Sequence, residues 1–141
     1  MFRLSGRARP KLDISEEEIR AVCTKKAFLQ SHYYLSSPKL SKATIHDNTL
    51  SAEVAGHYGT YRTTVTVEHG RISSTCTCAD GTSFCKHAAA LALTWIRSPR
   101  SFLSLEEVAS ELSGKTNDQL KQILLNLITK DPSILSTLRE R

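Results

Sequence analysis

No apolar run in this sequence is long enough to span a bilayer, and we expect no secretory leader. We therefore expect no membrane partner. We expect a cytoplasmic protein, associated with the nucleoid in a prokaryote or located in the nucleus of a eukaryote. In such a reducing compartment, cysteine thiols persist as metal ligands rather than as disulfides. The 4 cysteines of the chain are therefore candidate ligands.

A strong excess of charge is also missing, since the formal net charge is only +5. The content of 40% hydrophobic residues is ordinary for a soluble globular protein. A length of 141 residues suffices for one compact domain, or for one domain with an appendage. The mild positive charge is compatible with a nucleic-acid partner but does not by itself indicate one.

Three cysteines and one histidine are concentrated within twelve residues. Cys76 and Cys78 are separated by one residue, Cys85 and His87 are also separated by one, and six residues lie between the two pairs. Three thiolates and one imidazole form a standard closed set for a structural zinc ion, Zn²⁺, with no coordination position left for water. The sequence therefore predicts a zinc site on Cys76, Cys78, Cys85 and His87.

Three other interpretations of these residues are weaker. A catalytic cysteine and histidine pair is usually distant in sequence, and nothing else here resembles an acid or an oxyanion site. A disulfide would require an oxidising compartment. The ordinary zinc finger needs longer spacings within each ligand pair. We therefore expect no enzyme, no catalytic residue and no small-molecule substrate.

The spacing also indicates how the chain delivers the ligands. If Cys76 and Cys78 lie on a strand, alternation places both thiols on one face. Residues 79–84 contain an Asp-Gly pair and resemble a turn. The helix-favouring run 88–96 follows, which would place Cys85 and His87 at or just before its first turn. The metal is thus expected to join a sheet to a helix.

The rest of the pattern predicts an α+β fold. One N-terminal helix is expected to begin at the capping box of Ser15, to bury Cys23 as a small core residue and to end before Pro38. Two β-hairpins are expected, formed by strands 42–46 with 49–55 and 61–68 with 71–78.

The C-terminal region is predicted to be helical and distinct in composition. It contains capping boxes at Ser104 and Thr116, a stop at Gly114 and a short last helix that starts at Asp131-Pro132. The predicted organisation is a basic flexible arm at 1–13, a zinc-binding domain at 14–98 and a helical extension at 99–141. The second capped helix carries an apolar stripe of Leu120, Ile123, Leu124, Leu127 and Ile128. Such a stripe packs into the molecule's own core or forms a groove or dimer surface.

The segment 52–62 and the two ligand pairs together resemble the SWIM zinc finger, a family defined by Cys-x-Cys, a variable spacer and Cys-x-His after a strand-rich stretch. The resemblance covers roughly residues 24 to 97. It implies zinc on the same four residues and nothing catalytic. Members occur in chromatin-remodelling ATPases, transposases, ubiquitin ligases and recombination accessory factors, where the finger is regarded as a DNA-binding or protein-interaction module. This chain resembles that module without an ATPase or ligase domain.

Two functions follow as expectations. The first is a nucleic-acid-binding module, with DNA as the expected ligand and largely sequence-independent phosphate contacts. The alternative is an adaptor that docks its sheet–helix surface or its helices onto a recombinase-like or other DNA-processing protein. The predicted phosphate-contacting residues are Arg3, Arg7, Arg9, Lys11, Arg62, Arg71, Lys86 and Arg97.

Overall fold

A computed structural model describes residues 12–35, 39–78 and 83–140. It confirms the α+β class, with N-terminal helices, a sheet and C-terminal helices. The chain divides into two compact units, Met1–Leu105 and Glu106–Arg141. The boundary lies beyond the predicted 98/99 because Phe102 is buried in the core of the first unit and residues 103–104 join its sheet.

The N-terminal helix is interrupted, contrary to the single helix that we predicted. α1 spans Glu16–Val22 and starts with the predicted capping box of Ser15. Cys23 then takes an extended conformation, and Thr24 caps a second helix, α2, at Lys25–Ser31 by accepting a hydrogen bond from the Ala27 N–H. A threonine hydroxyl readily accepts a hydrogen bond from a backbone N–H in the first turn of a helix. Threonine therefore favours the N-cap position over the helix interior. A short 3₁₀ helix, His32–Tyr34, follows.

The two predicted hairpins are present, but they belong to one sheet of five strands with the order β4-β3-β2-β1-β5. β2 pairs along its full length with β3 through a tight turn at His57 and Tyr58, which the sequence pattern did not reveal. The short β5 runs parallel to β1 and was also not predicted. The strands are β1 Leu40–His46, β2 Thr49–Gly56, β3 Gly59–Glu68, β4 Arg71–Cys76 and β5 Leu103–Ser104.

The core lies between the sheet and α3, which spans Lys86–Arg97. Leu50 and Val54 of β2 and Val65 of β3 alternate with more exposed residues and point to this core. The helix contributes a run of buried alanines and leucines, residues 88–93. Small alanine side chains let a helix backbone approach a sheet closely, so the first turn of α3 is held firmly beside the strands.

The C-terminal unit is helical, as predicted. α4 spans Leu105–Ser113 and α5 spans Asn117–Lys130, the latter with the predicted capping box of Thr116 and Gln119. α6, Ile134–Leu138, begins after Asp131-Pro132 rather than at it, because the Asp131 carboxylate accepts hydrogen bonds from Ser133 and forms a turn there. No helix in the described part of the chain is both long and apolar enough to cross a membrane.

Candidate metal centre

The structure brings the four predicted ligands together. One donor atom from each of Cys76, Cys78, Cys85 and His87 lies within 4.8 Å of the others. Cys76 is the last residue of β4, Cys85 caps α3, and His87 lies in the first turn of that helix. The set therefore joins the edge of the sheet to the start of a helix. We expected Cys78 to lie on the same strand as Cys76, but that strand ends at Cys76, two residues earlier.

The separations of the donor atoms suit a four-coordinate ion. The Nδ1 atom of His87 lies 3.6 Å from the Cys76 sulfur and 3.8 Å from the Cys85 sulfur. A tetrahedral zinc ion with ordinary bond lengths would have nitrogen–sulfur edges of about 3.6 Å. The four cysteines of the chain are free of disulfides. The donor set thus fits a thiolate-rich metal site that Cys76, Cys78, Cys85 and His87 would hold.

The hydrogen bond between the Cys76 and Cys85 thiols shifts their pKa values in opposite directions. A hydrogen bond with Cys76 and burial raise the pKa of Cys85 to about 11. The same hydrogen bond lowers the pKa of Cys76, because the Cys85 thiol stabilises the Cys76 thiolate. Metal uptake must displace the proton of the Cys85 thiol, since the thiolate is the ligand form of cysteine.

His87 is enclosed by aromatic side chains. Its ring centroid lies 5.2 Å from that of Tyr34 and 5.0 Å from that of Tyr61. Because Nδ1 faces the sulfurs, the proton belongs on Nε2 when a metal is bound. Nε2 is buried and has no hydrogen-bond partner among the described residues. A metal-bound histidine usually donates this second N–H to an acceptor, so the site as described lacks one outer partner.

Gly56 makes room for Tyr61 beside this histidine. A Cβ atom added at Gly56 would collide with the Tyr61 ring. We therefore expect Gly56→Ala to displace that ring and to lower the free energy of unfolding by about 1–3 kcal/mol, the usual cost of overpacking. The measurement is urea denaturation monitored by circular dichroism.

Gly114→Ala is the matched control. The Cβ atom added at Gly114 would meet its nearest heavy atom at 3.6 Å, an ordinary contact. This variant should unfold at the wild-type urea concentration or slightly above it. Equal destabilisation by the two substitutions would show that crowding of Tyr61 is not the cause.

The predicted phosphate-contacting residues do not form one cluster. Arg62 lies on β3 at the end of the hairpin that carries the metal ligands, since Thr63 pairs with Cys76. Arg71 pairs with Glu68 at the other end, about 20 Å away along the strands. Arg97 lies 4.0 Å from the Glu16 carboxylate. Arg3, Arg7, Arg9 and Lys11 fall outside the described residues, as do residues 79–82 of the expected turn at 79–84 and the segment 36–38.

The aromatic surroundings of the site were missed by the sequence reasoning. A cavity of about 230 Å³ adjoins the cluster and is lined by Tyr34, His57, Tyr58, Tyr61, Cys78, Lys86 and His87. One sequence feature could have pointed to them. Aromatic residues make up only 6% of the chain, yet the short runs 32–34 and 57–61 contain all four tyrosines. Only the fold shows that these runs lie beside the ligand pairs.

No protein-family model, curated protein or solved structure matches this chain. The resemblance to the SWIM finger therefore has no support beyond the sequence motif itself.

Proposed function

We propose that this chain is a zinc-dependent nucleic-acid-binding module of the SWIM type, with DNA as its expected ligand. The zinc ion would be held by Cys76, Cys78, Cys85 and His87 and would have a structural role, because all four positions are filled by protein. The mixture of three thiolates and one imidazole supports zinc over magnesium or calcium, which prefer oxygen ligands.

The position of Lys86 carries the nucleic-acid part of the proposal. Lys86 lies between two of the metal ligands, in the first turn of α3, and its side chain lines the cavity beside the cluster. No acidic residue of the described chain lines that cavity. A metal-fixed helix start would therefore present a cation beside a cavity whose described lining contains no carboxylate, which suits a phosphate. Arg62 lies at the same end of the sheet.

Binding of labelled single-stranded and duplex oligonucleotides at two salt concentrations tests this function. The logarithm of the association constant should fall with that of the salt concentration, by about 0.9 per phosphate contact for duplex and about 0.7 for single strands. Lys86→Ala should weaken binding and reduce this slope by about one contact. Lys115→Ala removes an equal charge from an exposed position in the C-terminal unit and is the control. Failure of the metal-loaded wild type to bind either oligonucleotide would reject the proposal.

An adaptor remains the second candidate because of the C-terminal helices. No residue of α5 or α6 is buried, and Leu125 and Leu138 are more than half exposed. Within the predicted apolar stripe on α5, Leu124 and Leu127 are exposed and the other three residues are half-buried, and an apolar face of this kind is typical of a protein-binding helix. Under this function the isolated chain would bind no oligonucleotide at any salt concentration.

A further inference from the structure

We propose that the cavity beside the metal centre binds an unpaired nucleobase, so that the chain prefers single-stranded to duplex nucleic acid. This inference depends on the proposed nucleic-acid-binding function and specifies its ligand. It is carried by the placement of the tyrosines, by an unpartnered buried donor and by the charge of the cavity.

All 4 tyrosines of the chain line two cavities that adjoin one another. The first cavity is the one beside the cluster, and the second, of about 240 Å³, is lined by Gln30, Tyr33, Tyr34, His57 and Lys86. Tyr34, His57 and Lys86 line both cavities, so the two cavities lie next to each other. We call this surface the tyrosine track. Its concentration of aromatic rings contrasts with the rest of an aromatic-poor chain.

Two rings of the tyrosine track are exposed far beyond what packing requires. Tyr58 is 94% exposed and Tyr33 is 54% exposed. Tyr58 occupies the tight turn between β2 and β3, where a small polar residue would serve the backbone equally well. A flat ring projecting into water offers a stacking face, and stacking of bases on such rings is the main sequence-tolerant contact to single strands.

His87, which lines the first cavity, carries a buried ring nitrogen that has no described hydrogen-bond partner. This nitrogen is Nε2, and the residue is only 2% exposed. Leaving a buried N–H without an acceptor costs about 1–3 kcal/mol. Nucleobases carry ring nitrogens and carbonyl oxygens at their edges, so an inserted base can supply the missing acceptor.

The positive charges of the tyrosine track complement the negatively charged phosphates that flank a nucleobase. Lys86 lines both cavities, and the Lys39 ammonium lies 4.9 Å above the Tyr33 ring. No described residue lining either cavity is acidic. Each cavity is smaller than the roughly 300–1,000 Å³ that encloses a drug-sized ligand, which suits a single base. Bases of a duplex are paired and stacked inward, so only an unpaired base can enter.

The test uses the metal-loaded full chain and fluorescence anisotropy with a labelled oligothymidine, a hairpin duplex and an abasic oligomer of equal length and charge. We expect the wild type to bind oligothymidine more tightly than either of the other two. Tyr58→Ala should weaken oligothymidine binding by about 5- to 100-fold, in line with the loss of one stacked base, and should leave the salt slope unchanged. Tyr58→Phe keeps the ring and should bind like the wild type.

The outcomes separate this inference from the proposed function. Equal binding of oligothymidine, duplex and abasic oligomer, unchanged by Tyr58→Ala, would overturn base insertion and leave phosphate binding intact. No binding of any oligomer would overturn both. Displacement of oligothymidine by a polyproline peptide at equal concentration would instead identify the tyrosine track as a peptide groove and also overturn the inference. Because Tyr58 is almost fully exposed, loss of folding does not complicate these variants.

Discussion

Replacing Cys85 with alanine is expected to abolish stoichiometric metal binding and to lower the melting temperature by at least about 10 °C. A structural zinc ion contributes on the order of 10 kcal/mol of coupled folding free energy, and removing one of four ligands forfeits much of it. For a chain of this size, each 1 kcal/mol shifts the melting temperature by about 2–4 °C. Cys85 occupies the N-cap position of α3, so the loss of its thiol also removes a metal-mediated link between that helix and the edge of the sheet. Native mass spectrometry and thermal denaturation measure the two effects.

Cys23→Ala is the control for the effect of replacing a cysteine with alanine outside the donor cluster. Cys23 is half-buried and packs against the same core, but it lies outside the donor cluster, as the sequence predicted. This variant should retain one metal ion per chain and melt within about 4 °C of the wild type. A chelator should lower the melting temperature of the wild type and of Cys23→Ala, and it should have little effect on Cys85→Ala. One metal ion per chain in purified Cys85→Ala would contradict the assignment of this ligand.

Metal affinity is expected to rise at least about 100-fold between pH 6 and pH 8. The pKa of Cys85 is raised to about 11, mainly by the hydrogen bond with Cys76 and then by burial, so its thiol is protonated throughout this range. A metal ion binds the thiolate and releases that proton. Each proton released makes the apparent affinity rise tenfold per pH unit below the pKa. Competition with a chelating dye of known pH-corrected affinity measures the slope.

The Cys85→Ala variant provides the comparison for this slope. Any residual metal binding by that variant should release one proton fewer than binding by the wild type. Its affinity should therefore rise less steeply with pH. An affinity for the wild type that does not change between pH 6 and pH 8 would show that no thiol gives up a proton on binding, and that Cys85 is not a ligand.

The local elements of the fold could be predicted because their signals are short. The capping boxes at Ser15 and Thr116 use hydrogen bonds between residues three apart, and both are present. The turns at Asp47 and at His69-Gly70 have positive φ angles, as tight hairpin turns need. The break at Cys23 was missed because the apolar spacing continues across it, with Ile19 and Phe28 both buried.

The contacts between distant segments could not be predicted in the same way. Pairing of β2 with β3 and of β5 with β1 depends on which strands meet, and alternation along one strand carries no such information. The same limit applies to the C-terminal stripe, whose leucines have equal spacing whether they are buried or exposed.

The sequence by itself determined the donor set, because the identity and spacing of Cys76, Cys78, Cys85 and His87 are local and suit one coordination chemistry. Only the tertiary structure decided what surrounds it. Tyr34 follows α2, Tyr58 lies in the turn before β3, Tyr61 lies in β3 and Lys86 opens α3. These residues therefore meet only after the sheet has formed and α3 has packed against it. The physical reason is that a ligand pair two residues apart is fixed by backbone geometry, whereas a cavity wall is fixed by long-range packing.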